Sequence, residues 1–279
     1  MNNMELQKFD DMERYLLERA YSNNIKDHCG IKGTRVTIRN ADTGEILNMG
    51  HNKIILSGAE FAVTKYFEAL SRTEYITPSY NTVLGLDESL DINATSPEYI
   101  YLFCVGTSGC GKDPSQRYEA RYEEWTKPED LIPFRYVDAD SDIADALRAT
   151  YFGRRASASK IAYYFKKPEN IDAPDYIRQY IDATPIDSTV YNSSRTDQII
   201  TMVRLKLKYL KSEGRQFFRA TTGINTARVN TISLCTAWPR TIHNKTYYQD
   251  IRPLTRYNFP SIPLIDPELA IDIDYDLFF

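Results

Sequence analysis

Histidine, cysteine and tryptophan are scarce in this chain, with three, four and two copies among 279 residues. His28, His51 and His243 stand far apart, and no Ser-His-Asp or Cys-His arrangement suggests itself around them, so no catalytic residue is expected. Cys29, Cys104, Cys110 and Cys235 form no C-x-x-C pair and read as reduced thiols. His28 and Cys29 are the only adjacent soft ligands, yet neighbouring side chains of an extended chain point to opposite sides. No metal and no cofactor are therefore expected. No apolar run approaches the ~20 residues that span a bilayer. The first five residues, MNNME, lack the basic-then-apolar pattern of a secretion signal. Folding in a cytoplasm, without a membrane partner, is the expectation. Neither sign of charge dominates: 34 basic against 38 acidic residues give a formal charge of -4, which disfavours nucleic acid as a primary partner.

What the chain has in quantity is tyrosine, 21 copies beside 12 phenylalanines. Aromatic and β-branched residues favour pleated, half-buried surfaces. Gly33 to Asn40 alternates polar with apolar, Asp42, Thr43 and Gly44 supply a turn, and residues 45–50 return extended, which predicts a β-hairpin. Further strands are expected at residues 52–56, 99–105, 160–166, 198–210, 227–238, 245–251 and 270–279. Of these, the last is nearly a perfect period-two pattern, with Ile271, Ile273, Tyr275 and Leu277 set against Asp272, Asp274 and Asp276. In residues 202–209, Val203, Leu205, Leu207 and Tyr209 oppose Arg204, Lys206 and Lys208, which predicts a wet, basic face. Short turns such as residues 242–245 make antiparallel neighbours. The expected fold is α+β and β-rich: an antiparallel β-sandwich-like core with a few covering helices and long loop arms.

An N-terminal arm and a single domain follow. Residues 1–30 carry Leu6, Phe9, Leu16 and Ala20 at helical spacing and form an amphipathic helix or arm; residues 31–279 form one structural domain. A second helix is expected over residues 59–70, started by Ser57 and Gly58, and a short one from Asp142 to Tyr151, stopped at Gly153. Thr, Ser, Pro, Asn and Asp dominate residues 71–97 and 167–194, which read as long irregular insertions that could reach neighbouring subunits.

Two stretches mimic binding motifs. Residues 106–112, GTSGCGK, match the first seven positions of a phosphate-binding loop. The eighth is Asp113 where Ser or Thr must ligate Mg²⁺, and Pro114 follows, so the glycines read as a wide turn with positive φ angles and Lys112 as solvated. The acids at Asp138, Asp140, Asp142 and Asp145 resemble part of a calcium loop, but the central glycine and terminal glutamate are out of register; they read as helix N-terminal acids.

Three groups of residues carry a resemblance at the level of a class: NKIILSGA from Asn52, WTKPEDLIPFR from Trp125, and the pair IAYYFK from Ile161 with TGINTARVNTISLC from Thr222. Together the chain resembles virion structural proteins of large tailed bacteriophages, of the tail, baseplate or neck kind. The resemblance implies a non-enzymatic assembly role in the virion, put together in the host cytoplasm, with other phage virion proteins as partners and copies of itself in a symmetric ring or complex. It also implies that the glycine loop is turn geometry. A host-surface or glycan-binding adhesin on the same sandwich, and a nucleotide-binding enzyme using Gly106 to Lys112, are the alternative readings.

Overall fold

The computed structural model describes residues 33–55, 57, 58, 60–62, 78–87, 98–110, 130–141, 148–180, 199–243, 245–266 and 268–278. The expected helix within residues 1–30, most of that over 59–70, the acids 142–145 and the loop residues Gly111 and Lys112 lie outside them.

Two antiparallel sheets pack face to face. The smaller contains β1 (Gly33–Asn40), β2 (Ile46–Gly50), β9 (Asp175–Tyr180), β10 (Ile199–Tyr209) and β14 (Ile271–Phe278), in the order β2-β1-β14-β10-β9. The larger has nine strands: β3 (Lys53–Ile54), β4 (Tyr99–Gly106), β5 (Leu131–Ile132), β6 (Arg135–Asp138), β7 (Tyr151–Ala156), β8 (Lys160–Lys166), β11 (Arg228–Ile242), β12 (Lys245–Pro253) and β13 (Thr255–Pro263). The β-rich antiparallel sandwich expected from the sequence is thus the architecture.

Local chemistry explains the strands that the pattern identified. The turn joining β1 to β2 places Gly44 at φ 71°. There the Asn40 side-chain oxygen accepts from the amides of Asp42 and Thr43, at 2.9 and 3.3 Å. In β14 the residues Ile271, Ile273, Tyr275 and Leu277 all point into the core. Sheet faces separate the same way in β4, where Phe103 and Val105 join the core between the sheets while Leu102 and Cys104 face outward into a second core. Both faces of the larger sheet are therefore buried, which is why β11 is covered almost throughout its length.

That outer core is closed by a helix the sequence reading assigned to irregular chain. Within 71–97, Tyr80–Leu84 form α1: Ser79 caps its amino end by accepting from the Thr82 amide at 3.4 Å, and Gly85 ends it at φ 61°. Tyr80 and Leu84 fill the outer core, and Asn81 accepts from the Ile251 amide at 2.8 Å. Asp250, the preceding residue, is driven to φ 50° at the bulge between β12 and β11, and its carboxylate receives Arg252 at 2.9 Å.

The other insertion is corrected too. Within 167–194, residues 169–173 form a turn whose Glu169 amide donates to Lys206 O at 2.7 Å, and β9 follows as a strand paired with β10. Tyr151 begins β7 instead of ending a helix, and within that strand Gly153, at φ 65°, sits against the Phe165 ring where a side chain would collide. A second short helix, α2 (Arg215–Ala220), and β13 were not anticipated. β13 contains Pro260, tolerated because Phe259 to Ser261 bulge opposite Asn230, where no ladder donor is needed.

Candidate functional site

Thr107 to Cys110, the described part of the glycine loop, is packed into the sandwich. The Thr107 amide donates to Asp130 O at 2.9 Å and the Gly109 amide to the Asn230 side-chain oxygen at 2.7 Å. The Arg256 guanidinium donates to the Ser108 hydroxyl oxygen at 2.9 Å, and the Cys110 thiol to Phe259 O at 3.0 Å. Two amides that a phosphate cradle would aim at a ligand are thus directed at the fold itself. Gly109 does not have a positive φ, contrary to the expectation; its glycine is required by close approach. A Cβ there would stand 2.8 Å from the Asn230 carbonyl carbon and nearer still to its oxygen. Gly109→Ala should cost about 1–3 kcal/mol through forced separation of loop and β11, read as a lower urea midpoint. An unchanged midpoint would show that the loop can lift away freely.

A buried charge network lies deeper, where the end of β8 meets the turn after β10. Glu213 is inaccessible to solvent. Its Oε1 receives Lys166 Nζ at 2.9 Å and the Tyr151 hydroxyl at 2.7 Å, and its Oε2 the Leu210 amide at 2.7 Å. Lys166 also donates to Lys208 O at 2.8 Å, while its ammonium lies over the Phe134 and Tyr151 rings. Burial, and then the Glu213 carboxylate, raise the Tyr151 phenol well above the ordinary tyrosine range, so it acts as a donor. The Tyr209 hydroxyl donates to Glu213 O at 3.0 Å, closing the turn. This network ties the two sheets together.

The outward side of the smaller sheet answers the expectation of a basic face. Arg35, Asp276 and Arg204 are cross-strand neighbours, as are Thr37, Asp274 and Lys206, and then Arg39, Asp272 and Lys208. The acids of the central strand are therefore inserted between the bases of β1 and β10. Asp276, wholly buried, receives Arg35 at 2.9 and 2.6 Å and Arg204 at 2.6 and 3.0 Å. Lys206 meets Asp175 of β9 at 2.7 Å, an exposed pair in which the Lys206 hydrogen bond lowers the Asp175 carboxyl. The face is a matched charge lattice, not a basic patch.

Cys104 and Cys235 are free thiols with sulfurs 3.8 Å apart in the outer core, where burial, then contact with Cys104, pushes the Cys235 thiol up. Cys110 is also free, and Cys29 lies outside the described residues. His51 faces the Thr34 carbonyl at 2.5 Å and His243 sits at φ 48° in the β11–β12 turn, so the structure does not bring them together. Asp138 is ion-paired to Lys160 at 2.5 Å, and residues 139–141 form a single 3-10 turn.

Sequence reasoning missed one concave site altogether. A cleft of about 360 Å³ opens between the exit of α1, the start of β7 and the β11–β12 hairpin, lined by Asp87, Arg148, Arg154, Arg240, Ile242, Tyr247 and Gln249. Register explains the hairpin wall: Arg240 pairs with Tyr247 and Trp238 with Gln249, so period two places Arg240, Ile242, Tyr247 and Gln249 on one face. The opposite wall is held by Asp87, whose amide donates to Arg154 O at 2.8 Å and whose carboxylate is ion-paired with Arg154. No local signal announces the cleft, because its arginines come from two distant segments, Arg148 and Arg154 at the start of β7 and Arg240 on β11.

Among the described residues no helix is long and apolar enough to cross a membrane, and no group of His, Cys, Asp and Glu is arranged to hold a metal ion. In comparison with protein-family models, curated proteins and solved structures, the chain finds no match.

Proposed function

We propose that this chain is a non-enzymatic structural and assembly protein that works through protein–protein interfaces, in a tail, baseplate or neck of a tailed phage particle as its resemblance to such virion proteins implies. The observation that carries the reading is where its buried ionisable groups end. Glu213 with Lys166 and Asp276 with its two arginines join segments of the sandwich to each other, and Asp250 with Arg252 is a pair within β12. Such satisfied ties stiffen a fold and fix strand register; they do not present reactive atoms to a substrate. Tyr99 and Tyr176, about half exposed at 50% and 57%, supply amphipathic contact area of the kind interfaces favour. Partners are other virion proteins and further copies of this chain. A second reading, a host-surface or glycan-binding adhesin, is favoured by the cleft with Tyr247 at its wall.

Particles purified from cells carrying this gene provide the test. Mass spectrometry of the particles should find the chain at a fixed ratio to the other structural proteins, and a density map should contain its sandwich in repeated copies. Absence from the particles would sink the reading. So would saturable nucleoside triphosphate binding by the purified chain that disappears in Lys112→Ala, which would favour the nucleotide-binding enzyme.

A further inference from the structure

We infer that Lys166 and Glu213 condense, after folding, into an intramolecular amide that joins the two sheets covalently. Selection among the ion pairs is the first ground. The buried carboxylates of Asp276 and Asp250 have arginine partners, and a guanidinium stays protonated and is no nucleophile. The pairs made by Lys160, Lys206, Lys208 and Lys211 lie open to water, where both charges stay hydrated. Among the described residues, Lys166 and Glu213 set a lysine against a carboxylate out of reach of solvent, at 6% and 0% side-chain exposure. Nζ stands 2.9 Å from Oε1, although the two residues are 47 positions apart in the chain. A nitrogen so close to a carboxylate oxygen is also within van der Waals reach of the carboxyl carbon, and pairs held in such geometry react as though present at about 10⁵ M or more. Condensation discharges two buried ions and so removes the desolvation penalty that both carry.

The surroundings supply the rest of the chemistry. The ammonium passes one proton to Oε1, and the lone pair left on Nζ attacks Cδ. As that bond forms, the carbonyl pair moves onto Oε2, where the Leu210 amide, at 2.7 Å, stabilises the negative charge. The Tyr151 hydroxyl already donates to Oε1 at 2.7 Å. It hands that proton over, recovers one from Nζ and ends as it began. The Cδ–Oε1 bond then breaks with its electron pair on Oε1, which departs as water, while the pair on Oε2 restores the carbonyl. Ammonium and carboxylate have become amide and water, with no other reactant. The product finds its partners in place: Lys208 O, 2.8 Å from Nζ, accepts its N–H, and its carbonyl keeps the Leu210 amide. The Phe134 and Tyr151 rings, centred 6.0 and 5.8 Å from Nζ, shield the site from the bulk water that would reverse the step. The chain folds with the ion pair, and the amide forms within it afterwards.

Tryptic mapping of the purified full chain, sampled over days after folding, tests this. Trypsin cuts neither after an acylated lysine nor before proline, so residues 161–178 should appear joined to residues 212–215, lighter by one water than the two segments together. Tandem mass spectrometry should place the bond between Lys166 and Glu213. Lys166→Arg keeps the positive charge but has no amine to acylate, and should release residues 212–215 as a free peptide. Tyr151→Phe keeps the ring and should slow the joining by about a hundredfold. Separate segments from the wild-type chain at every age would overturn the inference, and that measurement needs no variant to fold. So would a joined product that persists in Lys166→Arg. Joining in Tyr151→Phe at the wild-type rate would overturn the relay through the phenol. Particle composition is independent of these results, so the assembly reading can stand or fall separately.

Discussion

A chain lacking residues 271–278 is expected not to fold. Those residues are β14, which lies at the centre of the smaller sheet with β1 on one side and β10 on the other. Its inward side chains Ile271, Ile273, Tyr275 and Leu277 are each at most 4% exposed. At ~1.5–3 kcal/mol for each large apolar side chain, their loss amounts to about 6–12 kcal/mol. A whole domain is stable by only about 5–15 kcal/mol. Deletion would also strand the ladder donors and acceptors of both neighbours and leave Arg35 and Arg204 facing each other without Asp276. Circular dichroism and gel filtration provide the check: loss of the cooperative melt and aggregation are expected. A truncated chain that melts at the full-length temperature would mean that β1 and β10 can close on each other.

Glu213→Ala should be the most damaging single substitution, at about 3–5 kcal/mol, because it leaves a buried ammonium without its carboxylate. Lys166 is only 6% exposed in its side chain, so water cannot readily take the place of Glu213. The Leu210 amide and the Tyr151 hydroxyl would lose their acceptor at the same time. The contrast with a paired replacement is informative. Lys166→Met together with Glu213→Leu removes both charges at similar volume and should recover most of the loss, since a buried pair is worth little over well-packed apolar residues. Urea unfolding of the single and double variants measures both. A loss below about 1 kcal/mol for Glu213→Ala would show that the cavity admits water and solvates Lys166.

Parts of the fold were overlooked for identifiable reasons. α1 is only five residues long, too short for helical periodicity, although Ser79 and Gly85 were its legible start and stop signals. β9 was hidden by the Pro and Asp residues just before it, and β13 by Pro260, which reads as a strand breaker until the bulge opposite Asn230 is seen. Gly109 announced itself as a glycine, but whether it served a turn or a close approach depended on Asn230, more than a hundred residues away.

Strand identity and facing were determined by the sequence itself, since side-chain alternation is a property of consecutive residues: β1, β4, β8, β10 and β14 stand where their patterns place them. Which strands neighbour each other was decided only by tertiary structure. The basic residues of β10 look like a charged surface when read alone; insertion of the acidic β14 beside them converts the same residues into a matched lattice. The cleft arose in the same way. Asp87, Arg148, Arg154 and Arg240 have no mutual spacing to read, and they converge because α1 packs on β12 while β7 pairs with β8. Alternation is local, but the choice of neighbour depends on burying all the apolar faces at once, and that condition belongs to the whole chain.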